Sequence, residues 1–396
     1  MRFKLLNRAV VIGWSTINTL SGAVFSVLLS IEVIRLCSKE LWGSMVEVLL
    51  WFGIASHILN FGNSNLLSRE FSLMPQDISF NWGKSLQARF WLYVCLGGLL
   101  VFLPLDIKMK CLLFVYLSAN FLYRSYDVII LFRRQFSIAV TLETGGFLII
   151  SSYVYITSNN LTLLGLVSVY SMAEVCKAVI IYLLFLPEIK IPSLSFNMHY
   201  LIIAFPFFLL EFTGLLQSKA DLMCVTYFLS KDKIAQFQVY INFLLLVQSV
   251  AGFALAPFVK NIYRMGSSTV KKLALNFLRF GAMLAFVSIF FINFFTRYFY
   301  HFSMSPLILC MGVFFIIPVF YYVPVIYPLI KHGKQNLVVL LNVIAALIAA
   351  ILNIILIPIS PDGISGAIAA SAITQWILLF SYIVIQKKLI PDALTT

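Results

Sequence analysis

Charge is scarce in this sequence. Only 11% of its 396 residues are Asp, Glu, Lys or Arg, against about 25% in a soluble domain. Beside a hydrophobic fraction of 61%, that shortage excludes a soluble globular enzyme and a disordered chain. Neither a single core nor a monomer's surface can carry so much apolar mass. Alternation of apolar and polar residues is also missing, and with it the roughly ten-residue strands of an outer-membrane barrel. The 6 cysteines form no CxxC pair and no Cys/His cluster, so no metal site and no disulfide framework is expected. All but Cys37 lie well within apolar runs, where cysteine acts as a small hydrophobe. Nothing resembling a Walker A P-loop occurs, so the chain is expected neither to hydrolyse ATP nor to carry a cofactor. The basic start, MRFKLLNRAVVIGW, is not closed by a small-residue cleavage site, and a retained first span is expected rather than a cleaved signal.

What is there is hydrophobic length. Mean hydropathy is +0.98. A helix needs about 20 apolar residues to cross a roughly 30 Å hydrocarbon core. Polar, Pro and Gly breaks divide the chain into twelve such runs, at 10–36, 42–67, 86–104, 110–132, 136–157, 161–186, 200–229, 234–259, 272–295, 304–330, 336–358 and 364–386. Connections are short, the longest being 68–85. The 28 Lys and Arg outnumber the 15 Asp and Glu, a net charge of +13. In a membrane protein this points to cytoplasmic loops and anionic lipid, not to nucleic acid. Seventeen of these cations fall on the side that holds both termini, seven on the other, and four inside spans. By the positive-inside rule both termini are cytoplasmic.

The chain also reads as two halves. Span one ends in Ser38-Lys39-Glu40 and span seven in Ser230-Lys231-Asp232, as a duplicated six-helix unit would place them. The expectation is an all-α polytopic membrane protein of about twelve transmembrane helices. Two pseudo-symmetric six-helix bundles, 1–190 and 200–396, would be joined by a cytoplasmic linker at 191–199 and would surround a central cavity.

Three stretches resemble a known family. Ser38–Glu70 matches an acid-x-x-Gly, apolar run, Gly and Arg-Glu pattern through Glu40, Gly43, Gly62, Arg69 and Glu70. Lys219–Tyr240 matches an Asp-apolar-Leu-Ser-x-acid segment through Asp221, Ser230, Asp232 and Tyr240, with Gln236 where Gly is usual. Leu352–Ile373 matches an Asn-apolar-Pro-x-x-Gly-x-x-Gly-Ala junction through Asn353, Pro358, Gly363, Gly366 and Ala367. Together they resemble the polysaccharide flippases of the MATE-like multidrug/oligosaccharidyl-lipid/polysaccharide exporter superfamily, with the O-antigen (Wzx-type) flippases nearest in length and span count. The resemblance implies a bacterial inner-membrane transporter that moves an undecaprenyl-pyrophosphate-linked oligosaccharide from the cytoplasmic to the periplasmic leaflet. It also implies membrane lipids, a polysaccharide polymerase and glycosyltransferases as partners.

Ionisable groups at bilayer depth cost roughly 2.5–3.5 kcal/mol each on insertion scales, and they usually face water or one another. Four cations, Arg124, Lys177, Lys219 and Arg279, are the candidates for a lumen that holds a pyrophosphate. Each has a plainer reading. Arg124 with Asp127, and Glu174 with Lys177, are three apart and would pair on one helix face. Lys219, two residues from Asp221, would snorkel or lock the bundle, and Arg279 would snorkel towards Lys271 and Lys272. Glu211, Glu143 and Asp127 are the candidates for carrying a coupling proton or Na⁺. For Glu211, beyond Pro206, the alternative is a carboxyl bonded to a neighbouring Ser, Thr or Asn. Pro318, Pro324 and Pro328 make span ten a broken helix lining a cavity or a kink satisfied by packing, two readings that do not exclude each other.

Lipid-linked oligosaccharide transport is therefore the leading expectation, and catalysis is not expected. A drug/cation antiporter would want an acid-dominated cavity. A membrane polymerase or glycosyltransferase would want catalytic groups on a large outer loop, and the longest outer connection here is short, with Arg297 and His301.

Overall fold

The computed structural model describes residues 2–102, 105–186, 198–255, 262, 265–331 and 333–389. These form helices α1 (Arg2–Leu36), α2 (Lys39–Asn60), α3 (Asn63–Leu73), α4 (Ile78–Val101), α5 (Ile107–Ser125), α6 (Asp127–Arg133) and α7 (Phe136–Thr157). They continue with α8 (Leu163–Phe185), α9 (Met198–Phe228), α10 (Lys231–Leu255), α11 (Ser267–Phe299), α12 (Pro306–Lys331), α13 (Gln335–Ile359) and α14 (Ile364–Leu389). Among the described residues, 9 helical stretches are long and apolar enough to cross a membrane. Taking α2 with α3 and α5 with α6 as broken spans, the fourteen helices make twelve passes, so the protein is an all-α polytopic membrane protein. The connection expected at 68–85 is largely helical, because α3 runs on to Leu73 and α4 begins at Ile78.

Local chemistry sets the ends. Ser38 caps α2 by accepting from the Leu41 N–H at 3.1 Å, and Thr162 caps α8 by accepting from Gly165 N–H at 3.2 Å. Asp362 does the same for α14, accepting from Ser365 N–H at 2.8 Å.

The chain divides into two compact units, Met1–Phe212 and Thr213–Thr396. The division lies within α9. The expected linker at 191–199 falls mostly outside the described residues. The first turns of α9 belong to the first unit, where Tyr200 and Ala204 join a core with Trp82, Tyr123, Tyr126 and Phe185. In lipid such cores are held by close packing and by polar contacts between helices, since hydrocarbon solvates an apolar face as well as another helix does. Large side chains left outside, such as Phe286 and Phe290 on α11, are the faces a bilayer would cover.

In the second unit α12 packs against both α11 and α14. Helix α12 is continuous through its three prolines. Pro318 has no N–H for the Phe314 carbonyl, and Trp376 Nε1 on α14 donates to that oxygen at 3.0 Å instead. Gln248 Nε2 on α10 donates to the next carbonyl, Phe315, at 2.8 Å. The carbonyl freed at Pro318 is thus satisfied by packing, and α12 also lines a cavity through Phe315 and Tyr322.

Candidate functional site

The site in the first unit is built on two interrupted helices. Span two stops at Phe61 and Gly62, both in the left-handed region (φ 44 and 69). A side chain on Gly62 would fall on the backbone of Phe207 and Phe208 in α9, so glycine is required there by conformation and by space. Phe61 accepts its unusual conformation with its ring stacked on Phe208, centroids 4.5 Å apart. Span four is interrupted at Tyr126, between α5 and α6. Helix α4 serves both interruptions. Trp82 Nε1 donates to the Ser125 carbonyl at 2.8 Å. Arg89 donates to the Ser125 hydroxyl at 3.2 Å and to the Leu59 carbonyl at 3.5 Å. Its Nε also reaches Ser85 Oγ at 3.1 Å, and the guanidinium lies 5.4 Å from the Phe121 ring centre. Arg89 is 1% exposed. It faces the C-terminal ends of α2 and α5, where the helix dipole favours a cation. Arg89 is one of the seventeen cations counted on the side of the termini, and the structure buries it. Its place inside the apolar run 86–104 was the available signal.

The interruption at Tyr126 also sets Arg124 in the last turn of α5 and Asp127 in the first turn of α6, each at the helix end that suits its charge. Arg124 Nη1 and Asp127 Oδ2 are 3.2 Å apart. Behind them Lys177 is buried between two carboxylates, 2.5 Å from Glu174 and 3.1 Å from Glu143. Tyr123 donates to the other Glu143 oxygen at 3.0 Å, and its ring centre lies 4.9 Å from the Lys177 ammonium. Asn120 donates to Glu174 at 3.3 Å. Arg124, Asp127, Glu143 and Tyr123 line a cavity of about 400 Å³ with Asn18, Ser21 and Ser64. Arg124 has 52% of its side chain exposed into that space.

Two carboxylates are held by neutral groups. Glu211 accepts from Asn65 at 2.7 Å and from Asn60 at 3.3 Å, residues on opposite sides of the Phe61–Gly62 interruption. In the second unit buried Asp221 accepts from Asn353 and from Ser371, each at 2.6 Å. It lines a cavity of about 190 Å³ with Gln248, Thr374, Gln375 and Tyr322. Asp221 and Asn353 come from two of the stretches that carry the family resemblance. Those stretches meet again where Gly363 (φ 74) packs on Leu229 and where Lys233 donates to the Asp362 carbonyl at 2.9 Å.

No family model matches the sequence, and no curated protein matches it. Solved structures do. An inward-facing multidrug resistance MATE family transporter of the MOP superfamily superposes with a TM-score of 0.65 at 13% identity, over 95% of this chain and 97% of that one. The lipid II flippase MurJ, in an inward closed conformation, gives 0.65 at 15% identity, over 95% of this chain and 88% of that one. A Vibrio cholerae MATE transporter gives 0.57 at 12%, over 94% and 93%. The chain has the MATE/MurJ fold. At these identities the likeness is one of architecture.

Within the MATE/MurJ fold, Arg124, Asp127, Glu143 and Lys177 stand together in the first unit, with Glu174 as the fifth charge. Lys219 and Arg279 stand apart from them. Among the described residues neither has a carboxylate within ion-pair distance. Lys219 is half-buried near the end of α9. Arg279 is exposed on α11, opposite the face on which Ala274, Gly281 and Ala285 pack. At helical spacing it shares its stripe with Lys272, Met283, Phe286 and Phe290.

Proposed function

We propose that this chain is a flippase. It moves an undecaprenyl-pyrophosphate-linked oligosaccharide of O-antigen type from the cytoplasmic to the periplasmic leaflet of a bacterial inner membrane by alternating access, with both termini cytoplasmic. The observation that carries the reading is Lys219, a half-buried cation set in an apolar helix of a MATE/MurJ fold without a neutralising carboxylate among the described residues. An anionic head group supplies the missing counter-charge, and a lysine ammonium meets phosphate oxygens as a compact point charge. The polyprenyl tail stays in lipid. A polymerase and glycosyltransferases would supply and consume the cargo.

The free energy comes from a cation gradient. Of the buried carboxylates, Glu143 and Asp127 already have cationic partners. Asp221 and Glu211 are held by amides and a hydroxyl alone, which leaves them without a fixed counter-cation and makes them the sites for the coupling ion.

Reconstitution into liposomes with a fluorescent polyprenyl-pyrophosphate glycan, followed by leaflet exposure of the label, tests the reading. K219Q, folded, is expected to slow translocation, and R279Q, on the lipid-facing stripe, is the control. A wild-type rate in K219Q would sink the cationic route. A drug/cation antiporter is the second reading, supported by the MATE likeness at the same TM-score of 0.65. Efflux of a cationic dye with no movement of the lipid would select it.

A further inference from the structure

The geometry points to the cavity of the first unit as a glycan subsite, one that binds the uncharged sugar rings of the cargo and not its diphosphate. This rests on the flippase reading and assigns one part of the substrate to one part of the chain.

The wall of the cavity and the groups behind it carry no excess of positive charge, since Arg124 and Lys177 stand against Asp127, Glu143 and Glu174. Arg124 is bound to Asp127 at 3.2 Å, and Glu143 to Lys177 at 3.1 Å. A diphosphate entering would meet two carboxylates before it met an unopposed cation, and like charges at close range repel strongly away from water. The same wall is rich in hydrogen-bonding capacity. Arg124 has five N–H donors and gives one of them to Asp127. Asp127 Oδ1, the Asn18 amide and the hydroxyls of Ser21 and Ser64 add further donors and acceptors around the same space. A sugar hydroxyl both donates and accepts, so a fixed Arg–Asp pair suits two adjacent hydroxyls, one accepting and one donating. Val128, Leu131 and Phe136 supply apolar lining for the edge of a ring. The volume, about 400 Å³, is that of a small-molecule site. Arg124 and Asp127 sit on either side of the interruption at Tyr126, and both line the cavity.

The test compares binding, in lipid nanodiscs, of bare undecaprenyl diphosphate with undecaprenyl diphosphate carrying one glucose, galactose or N-acetylglucosamine. Wild type is expected to bind at least one glycosylated probe more tightly than the bare lipid. R124Q and D127N are expected to lose about tenfold of that preference, the equivalent of one or two hydrogen bonds, and to bind the bare lipid as wild type does. Where a single variant fails to fold because a charge is left alone, R124Q/D127N removes both charges, keeps the shape and reads the same ratio. Equal weakening of bare and glycosylated lipid makes the cavity a phosphate site and overturns the proposal. So does an unchanged ratio in all three variants, or a wild type with no preference for any glycosylated probe. Wild type that binds neither form removes the flippase reading and the subsite with it.

Discussion

Arg89 reaches Ser125 across the first unit, its Nη2 donating to the hydroxyl at 3.2 Å. One side chain on α4 thereby ties the interruption in span four to the interruption in span two, where it reaches Leu59. The contact explains how a guanidinium with neutral partners is tolerated at 1% exposure. The carbonyls of two helix ends supply the negative field that a carboxylate would otherwise give.

The conservative replacement is therefore expected to be the damaging one. R89K keeps the buried charge but loses the fork that spans both helix ends, and should lower stability by about 2 kcal/mol. R89Q, which removes the charge with the donors, should lower it less. Thermal unfolding of the purified variants in one detergent reads the order, and an R89K as stable as wild type would contradict the assigned role.

Gly62 and Gly53 make a matched pair in span two. An added methyl at Gly62 strikes α9 and forces a positive φ on alanine, whereas at Gly53 it meets nothing within 4 Å. G62A is expected to cost about 1–3 kcal/mol and to reduce transport. G53A, inside a helix, should be neutral or stabilising by up to about 1 kcal/mol. Equal effects in unfolding assays would mean that the interruption is not braced by α9.

Lys177 holds two carboxylates apart. K177M leaves Glu143 and Glu174 facing each other without a cation and should destabilise by about 3–5 kcal/mol. K177M/E174Q should recover part of the loss, since the second change removes one of the stranded charges. A double variant no better than the single one would show that Lys177 acts by packing and not by charge.

Asp221 gives a functional prediction. D221N keeps the volume and removes the charge that a coupling ion would neutralise, so translocation should lose its dependence on the Na⁺ or proton gradient. E211Q is the parallel change in the first unit. Flipping measured with the gradient collapsed and restored reads both, and a D221N that still follows the gradient would exclude this carboxylate from coupling.

The parts of this architecture visible in the sequence were those encoded over short range. Run lengths predict about twelve passes, and the helices of the described residues are consistent with that number. The spacing of three between Arg124 and Asp127, and between Glu174 and Lys177, predicts pairs that the structure forms. What periodicity does not carry is the third partner. Glu143 reaches Lys177 from another helix, and Asn353 reaches Asp221 from a different part of the chain. The interruption at Gly62 left a trace, since Asn60-Phe61-Gly62-Asn63 places two amides around a glycine inside an apolar run. Nothing local marked Arg89 as the residue that would cap it, because a cation near the start of a span reads as an interfacial one.

Trp376 has a mechanical implication for span ten. The Phe314 oxygen is held by an indole from α14, so the path of α12 is governed by a neighbour as well as by its own ladder. Any stroke that draws α14 away strands that oxygen in oil. The rod must then bend at another point or let water in beside the proline. Straightness here belongs to a couple of helices, and a transport cycle that parts them has to offset the loss at Pro318.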